Sequence, residues 1–426
     1  MSTLVAERAF CVMTLAPLIA FITQMALIIY FSQENQTDYS EKALCITVLI
    51  YQILLGTVFM LISYYYDGDT FLFSKVDAMF YFRESMKASG MGLFKGINYL
   101  TSTFKSDDWG ALVFDSIVMY ILPEKLFLNT INIILGPLSA LYLFKVGKLF
   151  MPKSYAFLAA LAYSSSSFTI YYNCTFLKEP VFLFVITGCF YHLYQIIKYQ
   201  SPSSAIFFVI FIFALMFLRP ALIAFIVVST FVYYGITQRG HAISVFFYIG
   251  AAGGLVVSLA VMQELFDSYT LGGSLDTLSD SRSNAVYSGS FNLFVSLFGA
   301  FLGPFPSLFA KLTGPSHLEY VASGLVYKLF IVFPFWYGVY AAFRNKVIEF
   351  IPIILFIVIE MTLTGFIFAS LELRKVIVHV PFMFILSFYG MYKGFVLNPM
   401  NRFSTFPIYL FAVGVMLLWN VMKIKG

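Results

Sequence analysis

The sequence predicts an all-α fold, a polytopic bundle of transmembrane helices. Three observations support this: 60% of the residues are apolar, only 11% are charged, and the mean hydropathy is +0.87. Such a composition does not describe a soluble domain. We expect one integral membrane domain over residues 1–426, with no soluble appendage.

Apolar runs that approach or exceed the roughly 20 residues needed to cross a membrane follow one another along the chain. They lie at residues 10–31, 43–65, 127–144, 156–172, 181–197, 243–265, 325–343, 347–369, 376–395 and 407–422. Two more runs, 205–218 and 221–236, are separated by Arg219-Pro220 and form either two short spans or one kinked span, because proline interrupts a helix. The expected total is about eleven or twelve spans.

Two polar loops interrupt this pattern. The first, residues 66–126, contains apolar pieces at 91–100 and 112–122 that are too short to span and indicate amphipathic helices at the membrane interface. The second, residues 266–312, ends in a stretch with central Gly and Pro that favours a re-entrant segment. Within the run 156–172, four consecutive serines suit close packing of a single span.

The charge distribution predicts an orientation and excludes one class of partner. The net charge of +5 is spread over short loops and forms no basic stripe, so we expect no nucleic-acid partner. Lys145, Lys148 and Lys153 fall on the face opposite the first polar loop, and the positive-inside tendency makes that face cytoplasmic. The same scheme places the acidic connector 32–42 on the cytoplasmic side, which runs against the positive-inside tendency.

The first polar loop opens on the densest acidic cluster of the chain. Asp67, Asp69 and Asp77 fall within eleven positions, directly after an apolar run. Asp67-Gly68-Asp69 predicts a tight turn in which Gly68 supplies backbone freedom. The carboxylates could bind a divalent cation, orient a hydroxyl or accept its proton. The alternative is a solvated turn that ends a helix. Neither the cysteines nor the histidines show metal-ligand spacing, so no zinc or iron site is expected.

Isolated cations are the second set of candidate site residues. Lys178-Glu179 before Pro180 has the pattern of a helix start, and Lys178 could also hold a phosphate as a point charge. Arg219 suits bidentate phosphate binding, or it reaches from the interface to lipid headgroups. Arg374 and Lys375 suit phosphate binding too, with a local ion pair between Glu372 and Lys375 as the alternative.

Glu360 lies in the middle of an apolar run. A buried acid in a membrane span is a functional candidate, although a pair with His379 or Arg219 would explain it structurally.

External acids that face isolated cations above an apolar bundle suit a substrate with a lipid tail, a phosphate and a polar head. The acids would activate an acceptor hydroxyl while the cations stabilise a departing phosphate. Transfer of a lipid-linked sugar matches all three parts of such a substrate.

The order of these features resembles bacterial membrane glycosyltransferases of the GT-C type, which use polyprenyl-phosphate sugars. The matching motifs are Asp67-Gly68-Asp69, Asp77 with Tyr81, Leu177-Lys178-Glu179-Pro180, Leu218-Arg219-Pro220, Gly303-Pro304-Phe305-Pro306, and Arg374 before Val380-Pro381. The resemblance implies Asp67 or Asp69 as catalytic base, a glycan or lipid acceptor, membrane lipids as surroundings, and the bacterial inner membrane. The chain departs from better-known members in an extra early span and in lacking a large C-terminal soluble domain.

Two other functions remain open. An O-antigen-type polymerase also has many spans and functional arginines in external loops, and Arg219 and Gly235 have a spacing seen in some of these proteins. A lipid-linked oligosaccharide flippase would show cations along a central path and internal repeats. The acidic turn favours an enzyme.

Overall fold

The computed structural model describes residues 22–32, 39–72, 75–104, 106–237, 317–368 and 377–396, with 410 and 414. Regular structure in these ranges is helical, without a β-strand. The second polar loop, the run 243–265, the run 407–422, Arg374 and Lys375 lie outside the described residues, as does most of the first run.

The described helices follow the apolar runs closely, with polar or proline-containing connections between them. A short 3-10 turn at Ile348–Phe350 precedes one helix, and a π-helical turn at Tyr392–Val396 extends the last. The helices are α1 Ile22–Ser32, α2 Glu41–Asp67, α3 Lys75–Gly90, α4 Leu93–Thr103, α5 Ser106–Ile121, α6 Lys125–Gly147, α7 Lys153–Ser164, α8 Ser167–Cys174, α9 Glu179–Tyr199, α10 Pro202–Met216, α11 Ala221–Thr237, α12 His317–Arg344, α13 Ile351–Phe368 and α14 Val380–Met391.

Three of the described helices are long and apolar enough to cross a membrane. They are the Glu41–Tyr65 part of α2, α6 and α9. The described residues therefore confirm an all-helical protein with candidate membrane spans, although the number of these spans is lower than the sequence predicts.

The antiparallel pair of α2 and α6 defines two ends of the bundle. At one end, Glu41 forms ion pairs with Lys145 at 3.3 Å and Lys148 at 2.9 Å, which ties the start of α2 to the end of α6. At the other end, α2 stops next to the start of α6, where the Lys125 ammonium lies over the Phe71 ring. We call these the Glu41 end and the Asp69 end.

The prediction of one continuous span at residues 156–172 is wrong. Helix α7 ends at Ser164 and α8 begins at Ser167. The serine hydroxyls explain the break, because Ser164 Oγ donates to Ala160 O at 2.6 Å and Ser166 Oγ donates to Tyr163 O at 2.6 Å. Side chains that bond to nearby carbonyls compete with the helical ladder. The serines therefore interrupt this segment.

The segment around Arg219-Pro220 consists of two helices, α10 and α11, so the predicted break is present; both are shorter than the three candidate spans. In the first polar loop, both short apolar pieces are helical, within α4 and α5. Together with α3 they form a small three-helix group. Helix α4 buries Gly96 and Leu100 and exposes Phe94, as expected for an amphipathic helix.

Helices α12 and α14 form the closest helix pair in the described part of the chain. A side chain at Gly338 would collide with the Leu386 carbonyl of α14, and one at Gly390 would collide with the Pro334 carbonyl of α12. Ser387 also donates a hydrogen bond across the pair to Ile331 O at 2.8 Å. Small residues at the contact let the two backbones meet directly.

Candidate functional site at the Asp69 end

The acidic turn ends α2, as the structural alternative for this motif predicts, with Gly68 as the C-cap of the helix. Gly68 adopts a left-handed conformation, with φ of 70°, and its N–H donates to Tyr64 O at 3.0 Å. Asp69 Oδ1 then accepts a hydrogen bond from the Phe71 N–H at 2.8 Å. This Asx turn fixes the Asp69 side chain against its own backbone, so the carboxylate has a defined position.

Two side chains hold the next residue, Leu72, from both sides. Its N–H donates to Ser63 Oγ at 3.1 Å, and its carbonyl accepts from Tyr171 OH at 3.0 Å. Leu72 has φ of 52°, a left-handed conformation that costs a bulky residue about 1–3 kcal/mol. Contacts from α2 and α8 therefore stabilise a residue with a strained backbone beside the acidic turn.

Three phenylalanines bring distant segments together beside Asp69. Phe71 follows the acidic turn, Phe82 lies in α3, and Phe176 lies between α8 and α9. Their ring centroids are 5.5 to 5.9 Å apart. Lys125 extends over these rings, 3.4 Å from the Phe71 centroid, and is attracted electrostatically by Asp69. We call this arrangement the phenylalanine cup.

The candidate phosphate-binding residues of the α8–α9 connection lie at the same end. Lys178 is the N-cap of α9 and is half-buried, two residues after Phe176 of the cup. Glu179 is the first residue of α9 and is fully buried, followed by Pro180. The helix-start interpretation is therefore confirmed, whereas phosphate binding by Lys178 and Glu179 stays a prediction.

Arg219 also belongs to this region. Its guanidinium carbon lies 5.1 Å from the centroid of Phe182, one turn into α9. Next to it, the Gly110 N–H of α5 donates to Phe217 O at 2.8 Å, and Trp109 stacks on Phe217 at 6.1 Å. These contacts connect the α10–α11 break to the three-helix group of the first loop.

The remaining acids of the predicted cluster are less fully described. Asp67 is the last residue of α2, so its backbone lies beside the Asp69 turn. Asp77 lies in the first turn of α3 and is half-buried. Within the described residues, no three His, Cys, Asp or Glu side chains group together as metal ligands do.

Asp115 is a buried acid that the sequence reasoning missed. It lies in α5 with 2% of its surface exposed, and this burial raises the pKa of its carboxyl well above the ordinary value. The signal was present, because Asp115 interrupts an apolar stretch in the same way as Glu360. The apolar pattern around it predicts an interfacial helix but does not show that the acid is buried.

A buried seam of polar side chains leads from the Asp69 end into the bundle. Gln52 donates to Ser164 O at 3.0 Å and accepts from Asn173 Nδ2 at 3.3 Å. Gly136 allows this approach, because a side chain there would collide with both amides. One turn nearer to Lys125, Asn132 is fully buried, and its amide has no partner among the described residues.

The prediction that a pair with His379 explains Glu360 is confirmed. Glu360 Oε2 contacts His379 Nδ1, and both side chains are buried. A buried acid with such a partner has a structural explanation.

Comparison with known proteins identifies no family for this chain. No protein-family model matches the chain, and no curated protein matches it. The resemblance to GT-C glycosyltransferases therefore stays a prediction from its own motifs.

Proposed function

We propose that this protein is a membrane glycosyltransferase that moves a sugar from a polyprenyl-phosphate donor to a cell-surface glycan or lipid acceptor. The observation that carries the proposal is the phenylalanine cup, which joins the Asp69 turn, Lys125 and the segment before Lys178 at one end of the bundle. This arrangement supports the proposal, because it brings the Asp69 turn, Lys125 and the segment before Lys178 to the same end of the bundle.

In the proposed reaction, Asp69 accepts the proton of an acceptor hydroxyl as that oxygen attacks the anomeric carbon. The bond between this carbon and the phosphate oxygen breaks, and the lipid phosphate leaves with the electron pair. Lys178 and Arg219 balance the charge that develops on the phosphate, while Asp67 and Asp77 orient the acceptor. Arg374 and Lys375 are further proposed contacts for the phosphate. A divalent cation, if one takes part, would be held by the acids.

The proposed setting is a multi-pass protein of about eleven or twelve spans in the bacterial inner membrane. Lys145, Lys148 and Lys198 lie at the Glu41 end, where Lys198 donates to Leu149 O at 2.9 Å. This basic end supports a cytoplasmic Glu41 end and an external Asp69 end. Polyprenyl-linked sugars would then reach the turn from the outer leaflet.

A flippase for lipid-linked oligosaccharides is the second candidate. The break between α7 and α8, next to the amides of Gln52 and Asn173, favours it, because interrupted helices that face polar side chains are common at transporter binding sites. The fixed Asp69 turn favours the enzyme, since transport has no need of a positioned base.

Reconstitution of the purified protein with a polyprenyl-phosphate monosaccharide and a set of glycan acceptors tests these alternatives. We expect an acceptor that carries one added sugar, with release of the lipid phosphate. A ladder of repeat lengths would instead support the polymerase. Movement of intact donor between leaflets without transfer would support the flippase.

A further inference from the structure

Lys125 has surroundings that are unusual for a lysine. Its ammonium lies 3.4 Å from the ring centroid of Phe71, 5.3 Å from Phe176 and 5.9 Å from Phe82. Three rings from three separate segments therefore converge on one charged group. Aromatic faces attract a cation but accept no conventional hydrogen bond from it.

The ammonium keeps its hydrogen-bonding capacity. A lysine carries three N–H donors, and no described residue forms a salt bridge or a hydrogen bond with the Lys125 side chain. The attraction to Asp69 acts over a longer distance than an ion pair. A half-buried cation whose N–H groups are accepted by no described side chain or carbonyl is suited to an anion that arrives from outside the protein.

The position of Lys125 in its helix also favours an anion at this site. Lys125 is the first residue of α6, where the helix dipole is positive and disfavours a lysine. The preceding residue, Glu124, caps the helix without a side-chain hydrogen bond and is exposed. An anion next to Lys125 would interact favourably with both the ammonium and the helix dipole.

We propose that Lys125 and the phenylalanine cup form a binding site for the phosphate ester of a lipid, an assignment that rests on the proposed glycosyltransferase function. The ammonium binds the phosphate oxygens, and the buried rings of Phe71 and Phe176 hold the ammonium in place. The lipid ester is chosen over free phosphate because the proposed donor is a polyprenyl phosphate, and competition with inorganic phosphate distinguishes the two. Lys125 joins Lys178 and Arg219 as a phosphate ligand.

Binding of undecaprenyl phosphate to the full chain in nanodiscs, measured by native mass spectrometry, tests this site. Lys125→Gln and Lys125→Met remove the charge, and Met retains the packing against the rings. Both variants are expected to bind at least about tenfold more weakly, since hydrogen bonds to a charged group are lost. Inorganic phosphate in millimolar excess should not compete; full competition would indicate a site for free phosphate and overturn the assignment to a lipid.

Lys87 supplies the matched control. It also lies over an aromatic ring, 4.5 Å from the centroid of Tyr99, but its side chain is exposed and donates to Tyr99 OH at 2.8 Å. Lys87→Gln removes the same charge and should leave binding unchanged. Wild-type affinity in a folded Lys125→Met protein, or an equal loss in Lys87→Gln, would overturn the proposal.

Binding and transfer, each measured on the wild type and on Lys125→Met, separate this inference from the proposed function. If binding depends on Lys125 but the wild type transfers no sugar, the site stands and the glycosyltransferase assignment fails. If transfer occurs and Lys125→Met binds normally, the enzyme stands and the site fails.

Discussion

Asp69→Asn is expected to reduce sugar transfer at least about 100-fold, because a positioned general base typically contributes 10²–10⁴-fold to the rate. The change preserves the loop: the amide oxygen of asparagine can still accept the hydrogen bond from the Phe71 N–H, which Asp69 Oδ1 accepts at 2.8 Å. The loss should therefore be chemical, with normal accumulation in membranes and a normal unfolding temperature. The measurement is product formation in proteoliposomes.

Glu41→Gln is the control for this variant. It makes the same carboxylate-to-amide change at the opposite end of α2, where Glu41 is paired with Lys145 and Lys148 and lies far from the turn. It should retain near wild-type transfer, since exposed ion pairs contribute little to stability. Full activity in Asp69→Asn would exclude Asp69 as the base.

Gly338→Ala is expected to lower the free energy of unfolding by about 1–3 kcal/mol, the usual cost of overpacking. The new methyl group would collide with the Leu386 carbonyl, which is backbone and cannot rotate away. Relief requires α12 and α14 to move apart, at the expense of the contact at Gly390 and of the hydrogen bond from Ser387 to Ile331. Thermal unfolding in detergent, followed by circular dichroism, measures the effect.

Gly235→Ala is the matched variant in α11. An added Cβ there meets no atom within 4 Å, and alanine is the better helix former by about 1 kcal/mol. The unfolding temperature of Gly235→Ala should equal or exceed that of the wild type. Equal behaviour of the two variants would contradict the close packing of α12 and α14.

The sequence predicts much of this fold, because hydrophobic runs and proline breaks act locally. The apolar runs correspond to α2, α6 and α9, and Arg219-Pro220 marks a true helix break. The four serines also act locally, but in two opposing ways. Their small size suits close packing, but their hydroxyls bond to nearby carbonyls and end α7.

The candidate site is predictable only in part. A glycine between two aspartates predicts the left-handed turn at Gly68. The residues Lys178-Glu179-Pro180 predict the start of α9. Lys125 has no such local signal. Its importance comes from Phe71, Phe82 and Phe176, which reach it from segments about 40 to 50 residues away in either direction, and contacts of this range depend on how the helices pack. The contacts of Ser63 and Tyr171 with Leu72 could not be predicted for the same reason.

The proposal that the acids and cations lie at one membrane face is tested most directly by the accessibility of these residues from each side of the membrane. Thr70→Cys, Lys178→Cys and Lys148→Cys, each in a background without native cysteines, can be treated with a membrane-impermeant maleimide in intact bacterial cells. We expect labelling of residues 70 and 178 from outside, and labelling of residue 148 only after permeabilisation. Labelling of residues 70 and 178 from opposite sides would contradict the proposed site, since no single centre could then contain both Asp69 and Lys178.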